Sequence, residues 1–357
     1  MSLVYLDHAA TTPMRREAID AMLPFLDGMY ANPSGSHRFS RQARQAVDEA
    51  RDVVASVIGC LPGEVVFTGC GTEADNAAVT GVIRRRGGVA VCPSAEHHAV
   101  LHCVEHVGGR VVAVNAHGSV DLVALESSLD DDVTCVSVMA VNNEVGTITD
   151  LAAVASVVRR FAPHALLHTD AVQAASWIDL RKIWTHVDAM SLSAHKFGGP
   201  KGVGILAVRQ GVVFEPVILG GGQERDRRSG THNVAGIVSC AEALRLTDLE
   251  RERECARIQR LRETLTARLC AVDGVTRTVP DSVSVPGVAH FCIAGVESET
   301  LLYLLDEGEV CASAASACAS GALETSHVLA AMGVDPALSA GALRLSLGHD
   351  TTEAHID

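Results

Sequence analysis

No apolar run in this 357-residue sequence is long enough to span a bilayer. The N-terminus, Met1-Ser2-Leu3-Val4-Tyr5-Leu6-Asp7, lacks a basic segment and meets an acid too early for a signal peptide. Both absences argue against a membrane partner and make the cytoplasm the expected location. Positive charge is scarce as well. Lys and Arg number 29 against 43 Asp and Glu, a formal net charge of −14. That balance opposes binding to nucleic acid, which needs a positive field, and no direct nucleic-acid partner is expected. Arg84-Arg85-Arg86 and the group Arg225, Arg227 and Arg228 read as solvated faces. Any Cys-x-x-Cys pair is missing too. Eleven cysteines are scattered from Cys60 to Cys318, an odd number in a long chain, which argues against a disulfide framework. There is no internal repeat and no low-complexity linker.

What is present is ordinary for a globular protein, 48% hydrophobic and 20% charged, with length enough for two domains. Helical and strand patterns alternate to about residue 210. Val65-Val66-Phe67, Val89 to Cys92, Val111 to Val114, Val133 to Met139 and Val203 to Val208 read as strands. The stripe from Ala43 to Ile58, the stretch Glu73 to Arg86 and the stretch Leu151 to Phe161 read as helices. This alternation predicts an α/β fold, a large domain with a mainly parallel sheet flanked by helices. A charged helix follows over about 241–271, then a smaller α/β C-terminal domain with a strand near 288–293 and a helix near 299–305. The expected division is a large domain over 12–250 and a small one built from 1–11 and 251–357. Asp350-Thr351-Thr352-Glu353 reads as a helix start with few residues after it, so a final helix is expected to be cut short.

Chemistry concentrates where strands end. Asp170 follows the apolar run 165–169, and Lys196, in Ser193-Ala194-His195-Lys196, follows the run 188–192. In open α/β sheets ligands bind at the carboxyl ends of strands. A lysine that condenses with an aldehyde and an aspartate that holds a protonated ring nitrogen are the two groups a pyridoxal 5'-phosphate enzyme requires. Thr68-Gly69-Cys70-Gly71-Thr72 leads from a strand into a helix, where glycine and a free helix N-terminus suit a phosphate. The same glycines fit a dinucleotide fingerprint with Glu96 as the ribose contact, so a nicotinamide dehydrogenase competes. That reading gives no role to Asp170 and Lys196.

His97 could lie on a pyridine ring and act as acid or base. His98, His102 and His106 recur every four residues but lack an acidic partner, and a polar helix face is preferred to a metal site. Asn143 ends another strand. The stretches Gly220 to Glu224 and Arg228 to Asn233 suit a phosphate or a subunit contact. Arg344 is one cation in an apolar run and wants a carboxylate, either a ligand's or a structural partner's. Cys318 lies among tiny residues, Ser313 to Gly321, which reads as a loop with an exposed nucleophile.

In order along the chain, Leu6-Asp7-His8-Ala9-Ala10-Thr11-Thr12, Asn32-Pro33-Ser34, Val141-Asn142-Asn143-Glu144, Ser193-Ala194-His195-Lys196, Arg228-Ser229-Gly230-Thr231 and Ser316-Ala317-Cys318 resemble the Nif/Isc-type cysteine desulfurases. Those enzymes belong to the class V aminotransferase group of fold-type I pyridoxal phosphate enzymes. The resemblance runs to Arg344 and implies a homodimer that converts L-cysteine to L-alanine and passes the sulfur to an acceptor, as in iron–sulfur cluster assembly. It implies that Lys196 carries the cofactor and moves protons. Asp170 would pair with the pyridine nitrogen, Gln173 with the ring hydroxyl, and His97 would stack on the ring. Gly71 and Thr72, with Ser193 and His195, would hold the phosphate, and Thr231 would reach it from the neighbouring subunit. Asn143 and Arg344 would hold the substrate carboxylate, and Cys318 would take the sulfur as a persulfide.

Two departures stand out. Ala315 replaces the family's usual glycine, and the C-terminal tail that helps receive sulfur acceptors is expected to be missing. A selenocysteine lyase, another class V aminotransferase-like enzyme and a catalytically inactive sulfur-transfer scaffold are the alternatives. Cys318 argues against an aminotransferase, and the intact Lys196, Asp170 and Cys318 argue against the scaffold.

Overall fold

The computed structural model describes residues 3–314 and 326–357. From the N-terminus the elements run β1 (Val4–Tyr5), α1 (Arg16–Met22), α2 (Arg38–Ile58), β2 (Val65–Thr68), α3 (Gly71–Arg86), β3 (Val89–Pro93), α4 (His98–His106) and β4 (Arg110–Val112). Next come α5 (Leu122–Ser127), β5 (Val133–Ser137), α6 (Leu151–Phe161), β6 (Leu166–Asp170), α7 (Leu180–Trp184), β7 (Ala189–Ser193), β8 (Gly204–Val208) and the long α8 (Val234–Leu269). The C-terminal part adds β9 (Val275–Arg277), β10 (Val288–Ile293), α9 (Ser298–Glu307), β11 (Val310–Cys311), α10 (His327–Ala331), α11 (Pro336–Ser339) and β12 (Ala342–Ser346).

Seven strands form the large sheet in the order β2-β8-β7-β6-β5-β3-β4. Only the pairs made by β8 are antiparallel; the rest are parallel. The fold is thus α/β with a mainly parallel sheet, as the alternating pattern predicts. Its strands read as continuous apolar runs because both faces are covered. Val65, Phe67 and Ile205 point into one core with α2, α6 and α8, while Val66 and Leu206 point into a second core with α3 and α4. The small sheet is antiparallel, in the order β12-β10-β9. Leu6 from the N-terminal segment packs into its core beside Ile258, Phe291 and Leu343. β1 pairs with β11, and Asp7 bridges to Ser346, so the first residues of the chain lie against the last strands.

The helix expected over about 241–271 starts earlier, at Val234, where the Asn233 side chain accepts the Gly236 N–H at 3.0 Å. Its first turns are sunk in the main core through Ile237, Cys240 and Leu244, so they carry no amphipathic stripe. Its last turns present Ile258, Leu261 and Leu265 to the small core. One helix therefore serves both. At 350–353 the structure has a single 3₁₀ turn, Glu353–His355. The ten cysteines among the described residues are free thiols, and five of them, Cys92, Cys103, Cys135, Cys240 and Cys292, are buried. No helix among the described residues is long and apolar enough to cross a membrane.

Candidate active site

A cleft of about 380 Å³ opens at the carboxyl ends of the parallel strands. It gathers most of the residues singled out above. Gly71, Thr72, His97, Asn143, Asp170, Gln173, Ser193, His195, Lys196 and Arg344 all line it. Exposed Thr231 lies outside the lining that this one chain supplies. Cys318 and Ala315 fall outside the described residues.

Asp170 is the last residue of β6 and is 5% exposed. Its Oδ1 accepts the Val172 N–H at 2.9 Å. Burial raises its pKa above the ordinary carboxylate range, while His97, that N–H and Lys196 act the other way. Lys196 closes the one-turn 3₁₀ helix that follows β7. Its Nζ donates to the carbonyls of Ala9 at 2.6 Å and Ala10 at 2.8 Å, and Gln173 Nε2 donates to the same Ala9 carbonyl at 2.8 Å. The N-terminal segment thus forms part of the wall.

His97 caps α4, its Nδ1 accepting the Ala99 N–H at 3.1 Å. Burial lowers its pKa, which favours the neutral ring that such a cap needs. His195 Nδ1 lies 3.1 Å from the Thr11 hydroxyl, and burial, then Lys196 and Lys201, push this imidazole down to about 4.

Gly71 and Thr72, the first residues of the 16-residue α3, line the cleft, so the helix N-terminus faces it, while the Glu73 N–H is taken by Cys70 Sγ at 3.4 Å. Glycine is needed there because a Cβ on Gly71 would stand 2.8 Å from Val172 Cγ2. The turn before it is braced by Glu73, which accepts the Gly69 N–H at 2.7 Å and pairs with Arg228 at 2.8 Å.

Across the cleft, Arg344 sits in the middle of β12, 4% exposed. Its Nη2 meets Asp7 Oδ1 at 2.8 Å and its Nη1 donates to the Asn143 carbonyl at 2.8 Å. Arg344 Nε and Asn143 Oδ1 have no hydrogen-bond partner among the described residues. A cation and an amide with unspent capacity, side by side in a cleft, suit a ligand carboxylate. The facing strand ends, with an amine, a buried carboxylate, an imidazole and a helix N-terminus, suit a ring that bears an aldehyde and a phosphate.

The sequence reading missed Asp7 as the partner of Arg344 and Asp75 as part of the lining. Asp75 stands three residues after Thr72, one helical turn on, so its place on the cleft face was available from helix spacing. The dehydrogenase alternative fails on Glu96. That carboxylate is 1% exposed, with Oε1 accepting the Met139 N–H at 2.6 Å, and it does not line the cleft. The loop over 220–233 is more structural than expected. Glu224, Arg225 and Asp226 adopt left-handed φ values of 49°, 58° and 62°, and Glu224 is buried against Arg51.

A mainly parallel sheet with this strand order, a lysine after β7 and an aspartate at the end of β6 define an aminotransferase-like enzyme scaffold. The chain belongs to the aminotransferase class-V family, whose model matches residues 4–357. Within it, the chain is similar to cysteine desulfurases. An IscS-like cysteine desulfurase of Mycobacterium tuberculosis is 43% identical over 374 residues, covering 99% of this chain and 94% of the relative. The cysteine desulfurase IscS of Dictyoglomus turgidum is 40% identical over 363 residues, covering 99% of this chain and 92% of the relative. A solved NifS-like protein superposes with a TM-score of 0.93 at 37% identity, covering 99% of this chain and 96% of that one.

Proposed function

We propose that this chain is a pyridoxal 5'-phosphate-dependent cysteine desulfurase, active as a cytoplasmic homodimer. The observation that carries the reading is the convergence of Lys196, Asp170 and Arg344 on one cleft. The residues present fit the cofactor. Gly71 keeps the α3 N-terminus open for an anion, and the cleft falls in the size range of cofactor sites. When bound, pyridoxal phosphate supplies an electron sink that makes the substrate's Cα proton labile and its Cβ–S bond breakable.

The chain's own residues divide the remaining work. Lys196 would carry the cofactor and move the proton at the substrate Cα. Asp170 would hold the proton on the ring nitrogen, Gln173 would bind the ring hydroxyl, and His97 would stack on the ring. Thr72, Ser193 and His195, with the Gly71 N–H, hold the phosphate. Thr231, exposed in this chain, would reach the phosphate of the neighbouring subunit. Asn143 and Arg344 bind the cysteine carboxylate. The Cys318 thiol takes the sulfur: the substrate C–S bond breaks, a Cys318 S–S bond forms, and alanine leaves with the hydrogen that the thiol gave up. An acceptor then receives the sulfur.

The test is brief exposure of the purified protein to L-cysteine. Alanine should appear in step with one added sulfur on the peptide that contains Cys318, and Cys318→Ala should bind cysteine yet release little alanine. Sulfur on Cys70 or Cys311 instead, with Cys318→Ala fully active, would overturn the assignment. Release of alanine from selenocysteine only would make the enzyme a selenocysteine lyase.

A further inference from the structure

A buried polar seam leads from the cleft into the space between α3 and the sheet. Asp75 on α3 is 1% exposed, and its Oδ1 lies 3.7 Å from His168 Nε2. The same Nε2 is 2.9 Å from the Ser191 hydroxyl, and His168 Nδ1 is 2.8 Å from the Ser137 hydroxyl. Strand geometry builds this arrangement. His168 and Asp170 are two apart on β6 and so share a face. Ser191 is the β7 partner of Asp170, and Ser137 is the β5 partner of His168. Ser137, His168 and Ser191 are fully buried, and Asp170 is 5% exposed.

Two buried carboxylates therefore share one stretch of the cleft wall, and their surroundings differ. Asp170 has the Val172 N–H, and His97 and Lys196 favour its charged form. Asp75 has a hydrogen bond with Ser191 that favours its charged form, but no cation beside it among the described residues. Burial pushes His168 down to about 3, so that imidazole is neutral and offers no compensating charge. The other ionisable groups that face Asp75 are Asp170 on β6, Glu96 between β3 and α4, Cys70 at the helix's own cap and Cys103 on α4. None is a cation. Asp75 Oδ1 also lacks a hydrogen-bond partner among the described residues. Burial, then the charge of Asp170, raises the Asp75 carboxyl well above its ordinary range. Two carboxylates that share a buried site do not readily both ionise.

We propose that Asp75 is a positioning residue that stays protonated, keeping the seam neutral so that the single negative charge of the pair resides on Asp170. The proposal rests on the reading of Asp170 as the partner of the cofactor ring nitrogen. It gives that reading a mechanism: a neutral neighbour leaves Asp170 ionised in a site that would otherwise neutralise it.

Infrared spectroscopy of the protein, loaded and unloaded, tests this directly. Carboxyl-labelled aspartate separates aspartic-acid bands from those of Glu96. The expected result is one protonated aspartic-acid carbonyl band at neutral pH, present in wild type and lost in Asp75→Asn. The cofactor absorbance of Asp75→Asn should keep its pH midpoint, whereas Asp75→Ala should shift it by admitting water beside Asp170. Should Asp75→Asn not fold, Asp75→Glu serves instead: the band must then move from the aspartate label to a glutamate label. Absence of the band from wild type would overturn the proposal. So would a band that survives in Asp75→Asn and vanishes in Asp170→Asn. A cofactor absorbance indifferent to Asp170→Asn would sink the reading of Asp170 instead, leaving the infrared assignment of Asp75 to stand or fall separately.

Discussion

Arg51 and Arg344 are equally buried, 6% and 4% exposed, yet they do different things. Arg51 lies on α2, away from the cleft. Its Nη1 and Nη2 meet both oxygens of Glu224 at 2.7 Å, and Nη1 also donates to the Val65 carbonyl at 2.8 Å. Glu224 is closed off in turn by the Phe67 N–H at 3.1 Å and by His232 at 2.9 Å. Arg344 has one carboxylate oxygen, from Asp7, whose side chain is 20% exposed. The first pair is a brace that joins α2 and β2 to the loop over 220–233. The second is a cation held in place by a partner that leaves capacity for a ligand. Burial alone does not separate a structural arginine from a binding one, and neither does a spare Nε, which both have; what differs is that Arg51 holds both oxygens of its carboxylate away from the cleft, while Arg344 holds one and lines it.

If that division is right, cleft substitutions cost chemistry and brace substitutions cost stability. Lys196→Ala should show the largest effect on chemistry. It should lose the borohydride-reducible link to the cofactor and all turnover, with a melting temperature close to that of the wild-type apoprotein. A reduced adduct at Lys201 would show that the cleft has been misread. Arg51→Ala should show the largest effect on stability, about 3–5 kcal/mol in denaturant unfolding, because it leaves the Glu224 carboxylate buried and unpaired. A loss no greater than that of an exposed arginine would break the comparison. Arg344→Ala should weaken cysteine binding by about 2–5 kcal/mol while the cofactor spectrum stays as it was. An unchanged cysteine affinity would make Arg344 a second brace.

Two smaller effects concern pH. Burial acts to raise the Glu224 carboxyl, but the hydrogen bonds and charge of Arg51, together with His232, outweigh it and hold the group down to about 2. Its folded value is depressed, so its contribution is present above the unfolded carboxylate range and lost as pH falls toward 2. Linkage puts that contribution at about 3 kcal/mol. Denaturant unfolding between about pH 5 and about pH 2, roughly the edges of the carboxylate range, should show a loss in wild type that Arg51→Ala lacks. Asp75 has the opposite sign. Its folded value is raised, so its contribution is fully present below the unfolded carboxylate range and fades as pH rises. The Asp75→Asn apoprotein should therefore gain on wild type toward neutral pH and lose that advantage in acid. Parallel pH–stability curves for the two would contradict a buried neutral Asp75.

Much of this was open to reading in the sequence, for a local reason. Strands covered on both faces are short continuous apolar runs, so Val65 to Phe67, Val89 to Cys92 and Val203 to Val208 announced themselves. Residues that follow such runs, Asp170 and Lys196 among them, fall where a parallel sheet presents its ligand. The start of α8 was missed because Val234 to Leu244 is sunk in a core and carries no stripe. His168 looked like any strand residue, and Glu96 like a possible ribose contact; their burial depends on what α3 and α4 lay over them.

The sequence by itself determined the class of fold, the order of its elements and the chemical types available at the strand ends, because these follow from periodicity and from residues close in the chain. Only the tertiary structure decided the partners. Asp7 meets Arg344 although 337 residues separate them, and Glu224 meets Arg51 across 173. Those pairings are set by how the two sheets and their helices pack. The same packing fixes which carboxylates lose water, and with it which of them hold a proton and which hold a charge.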